Sequence, residues 1–372
     1  MTKQTSRREM LRLLAATGAM VAGCSSEDDA LRDPSNDQPQ NADVESSGED
    51  ASFTPAQDAS SEANDAGPTT PTLDVPFYGV NIHPDYFRPN AQLVSLLQML
   101  RVKHVRVDVY SEATANTIVG FAPALAAAGI QLVACITPGL HHGEDEQANY
   151  QSAYDLTKTI VTKLAPHVSI YECGNELDRD AYTYTGTPGA LTGTYSNAVW
   201  PSWRGLLRGM IDAIKELQPT AKVGVDFCCS DFDAAQWMWD GSQPDGSTGH
   251  PKVRWDVSML HWYRIYGDFD DAPNPFGGPN VNLVKEYVER FGCPVMFTEW
   301  GQIPEATGDE LRNQIVDMMT KFVADRAHGL VSIFYYQLSL DEQRFGLIDG
   351  TWANLTPAGE VFVDFVEKNP VS

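Results

Sequence analysis

From Pro76 onward, apolar positions recur in two alternating rhythms. Short β-branched or aromatic runs read as strands: FYGVNIH (77–83), VKHVRVDVY (102–110), IQLVACI (130–136), VSIYECG (168–174), AKVGVDF (221–227), WDVSMLHWY (255–263), PVMFTEW (294–300) and LVSIFYYQL (330–338). Between them apolar residues fall at helical spacing, as in Leu93, Leu96, Leu97 and Leu100, then Leu207, Met210, Ile211 and Ile214, and later Leu311, Ile315, Met319 and Phe322. Gly129 and Gly329 directly follow two of these patterns, Pro219 soon follows a third, and Thr356-Pro357 opens a last helix as a cap with Pro at the first helical position. The helices after the fifth and sixth strands carry the weakest signal. The 302 residues from 71 onward hold eight strand–helix units of about 38 residues each, which predicts an α/β fold of the (β/α)₈ TIM-barrel type, one domain over 75–372. No G-x-G-x-x-G or G-x-x-x-x-G-K-[ST] stands at a strand end to favour an open doubly wound sheet.

The first 74 residues have neither rhythm. Arg7 and Arg8 precede an apolar run too short to span a bilayer, which ends in Val21-Ala22-Gly23-Cys24. Ser6-Arg7-Arg8 resembles the start of a twin-arginine export signal and the end of the run resembles a bacterial lipobox, so residues 1–24 are expected to be a signal peptide with Cys24 as the lipid-attachment residue. An ordinary cleaved signal, with Cys24 incidental, is the alternative. From Ser25 to Thr70 there are 12 Asp or Glu against one Arg and almost nothing apolar, so residues 25–74 are expected to be a disordered acidic linker. As a flexible coil it spans about 35–40 Å, lengthened by self-repulsion. An exported protein held at the bacterial cell envelope, on the outer membrane or cell surface, follows as the expected localisation, with the membrane as a partner through the lipid.

The formal charge is −24. The leader holds +3 and the linker −11, which leaves −16 on residues 71–372. No basic stripe exists to follow a phosphate backbone, which argues against a nucleic-acid partner. Beyond Cys24 the cysteines are Cys135, Cys173, Cys228, Cys229 and Cys293, an odd number without C-x-x-C spacing. That excludes a zinc ribbon and a complete disulfide set. Cys135, Cys173 and Cys293 lie in or beside apolar runs and read as small buried hydrophobes, whereas the adjacent Cys228-Cys229 pair is ambiguous.

In such a barrel, chemistry belongs to the C-terminal ends of the strands. The fourth run delivers Asn175-Glu176 and the seventh Thr298-Glu299-Trp300, two carboxylates on roughly opposite strands. Each alone reads as a solvated loop charge. Together they match the two carboxyl groups that cleavage of a glycosidic bond requires, one to protonate the departing oxygen and one to attack or activate water. No H-E-x-x-H occurs and NIHPD holds no His-x-His pair, so neither a metal nor any other cofactor is expected.

These residues resemble the retaining (β/α)₈ glycosidases of glycoside hydrolase clan A, which place Asn-Glu after strand 4 and Glu after strand 7. CGNELD and FTEWG match those places, Arg106, His261 and Tyr263 join them, and RFGLIDGTWANLTPAGE is similar to the Phe-Gly-Leu tail common after strand 8. The resemblance covers residues 75 to about 366. Two departures stand out: Leu177 follows Glu176 where Pro is common, and Tyr335-Tyr336-Gln337 ends strand 8 where many members place Trp.

The resemblance implies Glu176 as acid/base and Glu299 as nucleophile in a double displacement that retains configuration, on a β-linked poly- or oligosaccharide. It further implies Glu299 ionised and Glu176 protonated, Arg106 holding Glu299 charged, Tyr263 donating to Glu299, and Asn175 on the sugar 2-hydroxyl. His261, Trp300, Tyr336 and His142 complete the expected substrate-binding set. Arg106 has a blander reading as a core ion pair with Asp108, and His83, His141 and His142 equally suit structural roles. Long segments over 178–203 and 228–253 bring Tyr182, Tyr184, Tyr195, Trp200, Trp237 and Trp239, which read either as walls of a glycan cleft or, with Trp203, as buried anchors. Their length favours an open groove and endo action. A monomer is expected. The competing reading is a catalytically inactive, glycan-binding surface lipoprotein on the same barrel.

Overall fold

A computed structural model describes residues 70–371 apart from 85–88, 140–144, 180–183, 186–193 and 340–344. The leader, Cys24, His141, His142, Tyr182 and nearly all of the linker therefore lie outside the described residues. A compact unit begins at Thr70. Within it Leu73 and Val75 pack against the lower end of the barrel interior, so the last linker positions already belong to the packed body.

Eight parallel strands close in sequence order: β1 (Tyr78–Ile82), β2 (His104–Val109), β3 (Gln131–Ile136), β4 (Ile170–Cys173), β5 (Lys222–Cys228), β6 (Val257–Tyr263), β7 (Val295–Gly301) and β8 (Leu330–Tyr335). Helices follow each: α1 (Asn90–Met99), α2 (Glu112–Ala127), α3 (Glu146–Leu164), α4 (Trp200–Leu217), α5 (Phe232–Asp240), α6 (Leu283–Phe291), α7 (Gly308–Asp325) and α8 (Pro357–Lys368). The two weakly signalled helices, α5 and α6, have only 9 residues each, too short for a long periodic pattern. Thr356 caps α8 by accepting from the Gly359 amide, as its Thr-Pro start predicts. Gly205 and Gly209 on α4 let its backbone meet α3: a Cβ there would sit 2.1 and 2.2 Å from the Glu146 and Tyr150 carbonyl oxygens. No described helix is long and apolar enough to cross a membrane.

Apolar side chains facing outward from the strands pack under the helices, with the leucines of α1 among them. Inside the barrel a second, separate apolar cluster of Val133, Ile170, Val257, Met259, Met296 and Phe334 fills the lower end. Two residues further along the same strands, the inward positions turn polar: Cys135, Glu172, His261 and Thr298, with Arg106, Asn81 and Asp226 beside them, all buried.

Candidate active site

The chain leaves β4 through a turn that only certain residues accept. Gly174 has φ 94°, and a Cβ there would lie 2.5 Å from Leu177 Cδ1. Glu176 itself lies in the left-handed region at φ 49°, a conformation that costs a side-chain-bearing residue about 1–2 kcal/mol. The Glu176 amide donates to Asp226 Oδ2 at 2.7 Å, which holds the turn down on β5.

At β7 the register against β6 shifts, pairing Leu260 with Phe297 but His261 with Glu299. The extra residue, Thr298, forms a bulge. As a result Thr298 and Glu299 both face inward: Thr298 Oγ1 donates to Glu172 Oε1 at 2.7 Å, while Glu299 meets Arg106 and Tyr263. The flanking Phe297 and Trp300 both pack outward against Phe322 on α7.

The interior charges are knit around two cations. Arg106 donates to Glu299 Oε1 at 3.0 Å, Asn81 Oδ1 at 2.9 Å and Asn175 Oδ1 at 2.6 Å, and its Nε pairs with Glu172. Its Nη1 is also 3.6 Å from Asp108, so the core ion pair and the contact to Glu299 coexist. His261 Nδ1 is 3.0 Å from Glu176 Oε1 and 3.7 Å from Glu299 Oε2, and its Nε2 lies 3.4 Å from Glu172 and 3.8 Å from Asp226. Carboxylate oxygens of Glu176 and Glu299 fall within 4.8 Å of each other.

These contacts set the protonation states. Burial alone would lower His261, but Glu299, Glu172, Glu176 and Asp226 outweigh it and raise it well above the usual imidazole range. Burial would raise Glu172, yet Arg106 and His261 overcome it and hold it low. Asp226 is pushed up to about 8, chiefly by burial. For Glu176, the His261 hydrogen bond and charge overcome burial and lower it, whereas for Glu299 burial, aided by Glu176, prevails over His261 and Arg106 and raises it. The balance between the pair is thus the reverse of the expected one. The reason is geometric: the imidazolium sits nearer to Glu176. Two groups could in composition hold a metal, Glu172–Asp226–His261 and Glu176–His261–Glu299. Both depend on His261, which as an imidazolium has no free lone pair, and Arg106 already neutralises Glu172 and Glu299.

Of the site residues read from sequence, Glu176, Glu299, Asn175, Arg106, His261 and Tyr263 meet at the barrel mouth. Tyr263 donates to Glu299 Oε2 at 2.6 Å. Tyr336 stands beside them, its ring 6.3 Å from that of Tyr263 and 6.0 Å from that of His83, which itself approaches Asp108 at 3.5 Å. Trp300 does not join them. It is fully buried between barrel and helices against Phe322, Tyr335 and Phe362, because alternation along β7 turns the residue after Glu299 to the opposite face. The loop aromatics resolve as anchors: Trp200 and Trp203 are buried, and Tyr195 and Trp237 pack against them. Trp239 packs on Trp255 and Phe291.

Glu172, Asp226, Asn81 and Thr298 were missed. All four carried a signal: each is a polar residue at an inward-facing position of an otherwise apolar strand, where burial demands a partner. Thr298 follows the inward Met296 by two positions, and the bulge is what turns Glu299 inward beside it.

No family model matches the chain, and no curated protein sequence matches it significantly. Solved structures do. A β-glycosidase from the hyperthermophile Thermosphaera aggregans is 13% identical with a TM-score of 0.60, over 81% of this chain and 98% of that one. A family 1 β-glucosidase from Thermotoga maritima is 12% identical with a TM-score of 0.54, over 82% of this chain and 100% of that one. An exo-β-1,4-mannosidase from Opitutaceae bacterium strain TAV5 is 16% identical with a TM-score of 0.55, over 79% of this chain, and the chain spans 59% of its length. At such identities the likeness is one of fold: the chain has a closed (β/α)₈ barrel similar to those of these glycosidases.

Proposed function

We propose that the protein is a retaining glycoside hydrolase that cleaves β-linked poly- or oligosaccharides, with Glu299 as nucleophile and Glu176 as acid/base. The observation that carries this reading is the approach of the two carboxylates to within 4.8 Å, at the C-terminal mouth of a closed barrel. Retaining enzymes hold their carboxyl groups about 5–5.5 Å apart, whereas inverting ones leave about 6.5–9.5 Å for a water.

Glu299 attacks the anomeric carbon, steadied by Arg106 and the Tyr263 hydroxyl. The proton for the leaving oxygen resides on the His261–Glu176 unit, bridged at 3.0 Å. A glycoside seated in the mouth excludes water from this pair, and desolvation favours its neutral form, moving the proton from Nδ1 to Oε1. Glu176 then delivers it and later takes a proton from the incoming water. Asn175, exposed beside Arg106, serves the 2-hydroxyl, and Tyr336 lies under the sugar ring where relatives use Trp. The acidic linker and a lipid on Cys24 tether this barrel to the bacterial envelope. Endo action rested on long loops lined with aromatics; those described pack inward, so product length decides it.

The test is turnover of the purified protein on a panel of β-glycans, with anomeric configuration followed by NMR. Retention is expected, with loss of about 10²–10⁴-fold or more in Glu176→Gln and Glu299→Gln. Net inversion, or unchanged turnover in either variant, refutes the assignment. Binding without turnover leaves the inactive glycan-binding reading.

A further inference from the structure

Beside Glu176 the tip of β5 carries two adjacent cysteines. Neighbouring residues of an extended strand point to opposite faces. Here Cys229 turns into the left-handed region at φ 56°, a conformation side-chain-bearing residues rarely adopt, and the two Sγ atoms meet at 3.5 Å. The turn is held at both residues: the Cys228 amide donates to Asp178 Oδ2 at 2.7 Å and the Cys229 amide to the His261 carbonyl at 3.2 Å. The single Cys228 S–H lies within reach of both Glu176 Oε1, at 3.7 Å, and Cys229 Sγ, and is shared between them. The other described cysteines, Cys135, Cys173 and Cys293, are buried without a sulfur neighbour of this kind.

We infer that Cys228 and Cys229 form a dithiol that a small hydroperoxide oxidises to a disulfide between adjacent residues, and that this closure withdraws a hydrogen-bond donor from Glu176. Each residue is only 3% exposed, which suits an oxidant the size of hydrogen peroxide and excludes protein oxidants. Cys229 is the attacking thiol: burial would raise it, but the hydrogen bond from Cys228 and the charge of Arg179 outweigh burial and lower it. Its thiolate attacks one peroxide oxygen, the O–O bond breaks, and hydroxide leaves to take up a proton as water. The resulting sulfenic acid is attacked by the Cys228 sulfur. The S–S bond forms, the S–O bond breaks, and hydroxide leaves with the Cys228 proton as a second water. Two electrons pass from the sulfurs to the peroxide, and an added dithiol reverses the change.

The consequence for Glu176 follows from its surroundings. It faces His261 and Tyr263 from β6, Tyr266 just beyond it, Arg106 from β2, Glu299 from β7, Asp178 and Arg179 from the turn after β4, and Asp226, Cys228 and Cys229 from β5 and its tip. Closure of the disulfide removes the Cys228 donor and the Cys229 sulfur, which repels Glu176 when ionised. Where Cys229 is protonated beforehand, loss of the donor disfavours the ionised carboxylate, so oxidation shifts Glu176 upward. This effect on turnover rests on the acid/base reading of Glu176; the thiol chemistry does not.

The experiment treats the reduced, purified protein with hydrogen peroxide, alkylates it under denaturing conditions and maps the cysteines by mass. The Cys228–Cys229 peptide is expected two hydrogens lighter and unalkylated, reverting with dithiothreitol. Cys229→Ser loses the pairing and Cys293→Ser keeps it. In parallel, the alkaline limb of the kcat/KM profile is expected to move to higher pH on oxidation and to return on reduction. Alkylation of both cysteines after peroxide overturns the inference, and this readout needs no variant to fold. Disulfide formation with an unchanged profile overturns the link to Glu176. Disulfide formation in a protein that turns over no glycan upholds the dithiol and rejects the glycosidase.

Discussion

The barrel interior holds two fully buried histidines at opposite ends, and the contrast between them separates what holds this protein together from what it does. His104, at the lower end, bonds Ser332 Oγ at 2.9 Å and the Pro76 carbonyl at 3.1 Å and lies against the Phe334 ring. With no carboxylate acting on it among the described residues, burial lowers it to about 3, so it is neutral. His261, near the mouth, stands among four carboxylates and is raised well above the usual range. The same side chain, equally buried, is therefore a neutral packing element in one layer and a cation in the other. Burial makes charge expensive, and only the upper layer supplies enough opposite charge to offset it.

Breaking the upper layer at its other cation should do the greatest damage. Arg106→Met leaves Glu172 and Glu299 buried without their guanidinium and is expected to cost about 3–5 kcal/mol of stability by denaturant unfolding, and turnover with it. Met259→Ala in the lower layer is expected to cost about 2–4 kcal/mol by the same measurement. Its pH–rate profile should stay unchanged, because Met259 belongs to the lower apolar cluster and carries no charge.

The two histidines also predict opposite pH effects on folding. A lowered pKa means that the folded state binds fewer protons than the unfolded one, so His104 withdraws stability as pH falls from about 6.5 toward 3. A raised pKa does the reverse: the stability from His261 is complete below about 6.5 and is lost only as pH rises through its higher folded value. NMR titration of the imidazoles should find His104 uncharged and His261 charged at pH 7. A neutral His261 would remove the proton from the proposed acid. The smallest effect is expected of Tyr263→Phe, which deletes one donor to Glu299 and about 1 kcal/mol. Tyr263 lowers Glu299, so its loss should move the acid limb of the kcat/KM profile to higher pH.

The eight barrel strands, the helices that follow them and the placing of Glu176 and Glu299 at strand ends were legible in the chain, because each depends on periodicity and on neighbours a few positions away. Capping at Thr356 and the helical spacing of α7 belong to the same class of local information. Trp300 was legible too, through alternation, but adjacency to Glu299 was the wrong cue. What no local pattern contained is the company each inward residue keeps. Glu172 meets Thr298 across 126 positions, and a single extra residue on β7 decides that Thr298 and Glu299 face inward together. The meeting of the two cysteines on one side of β5 depends likewise on a backbone turn at Cys229 that tertiary bonds hold. Periodicity determined which residues are buried; barrel closure and register decided which charges are buried together, and so which of them carry protons.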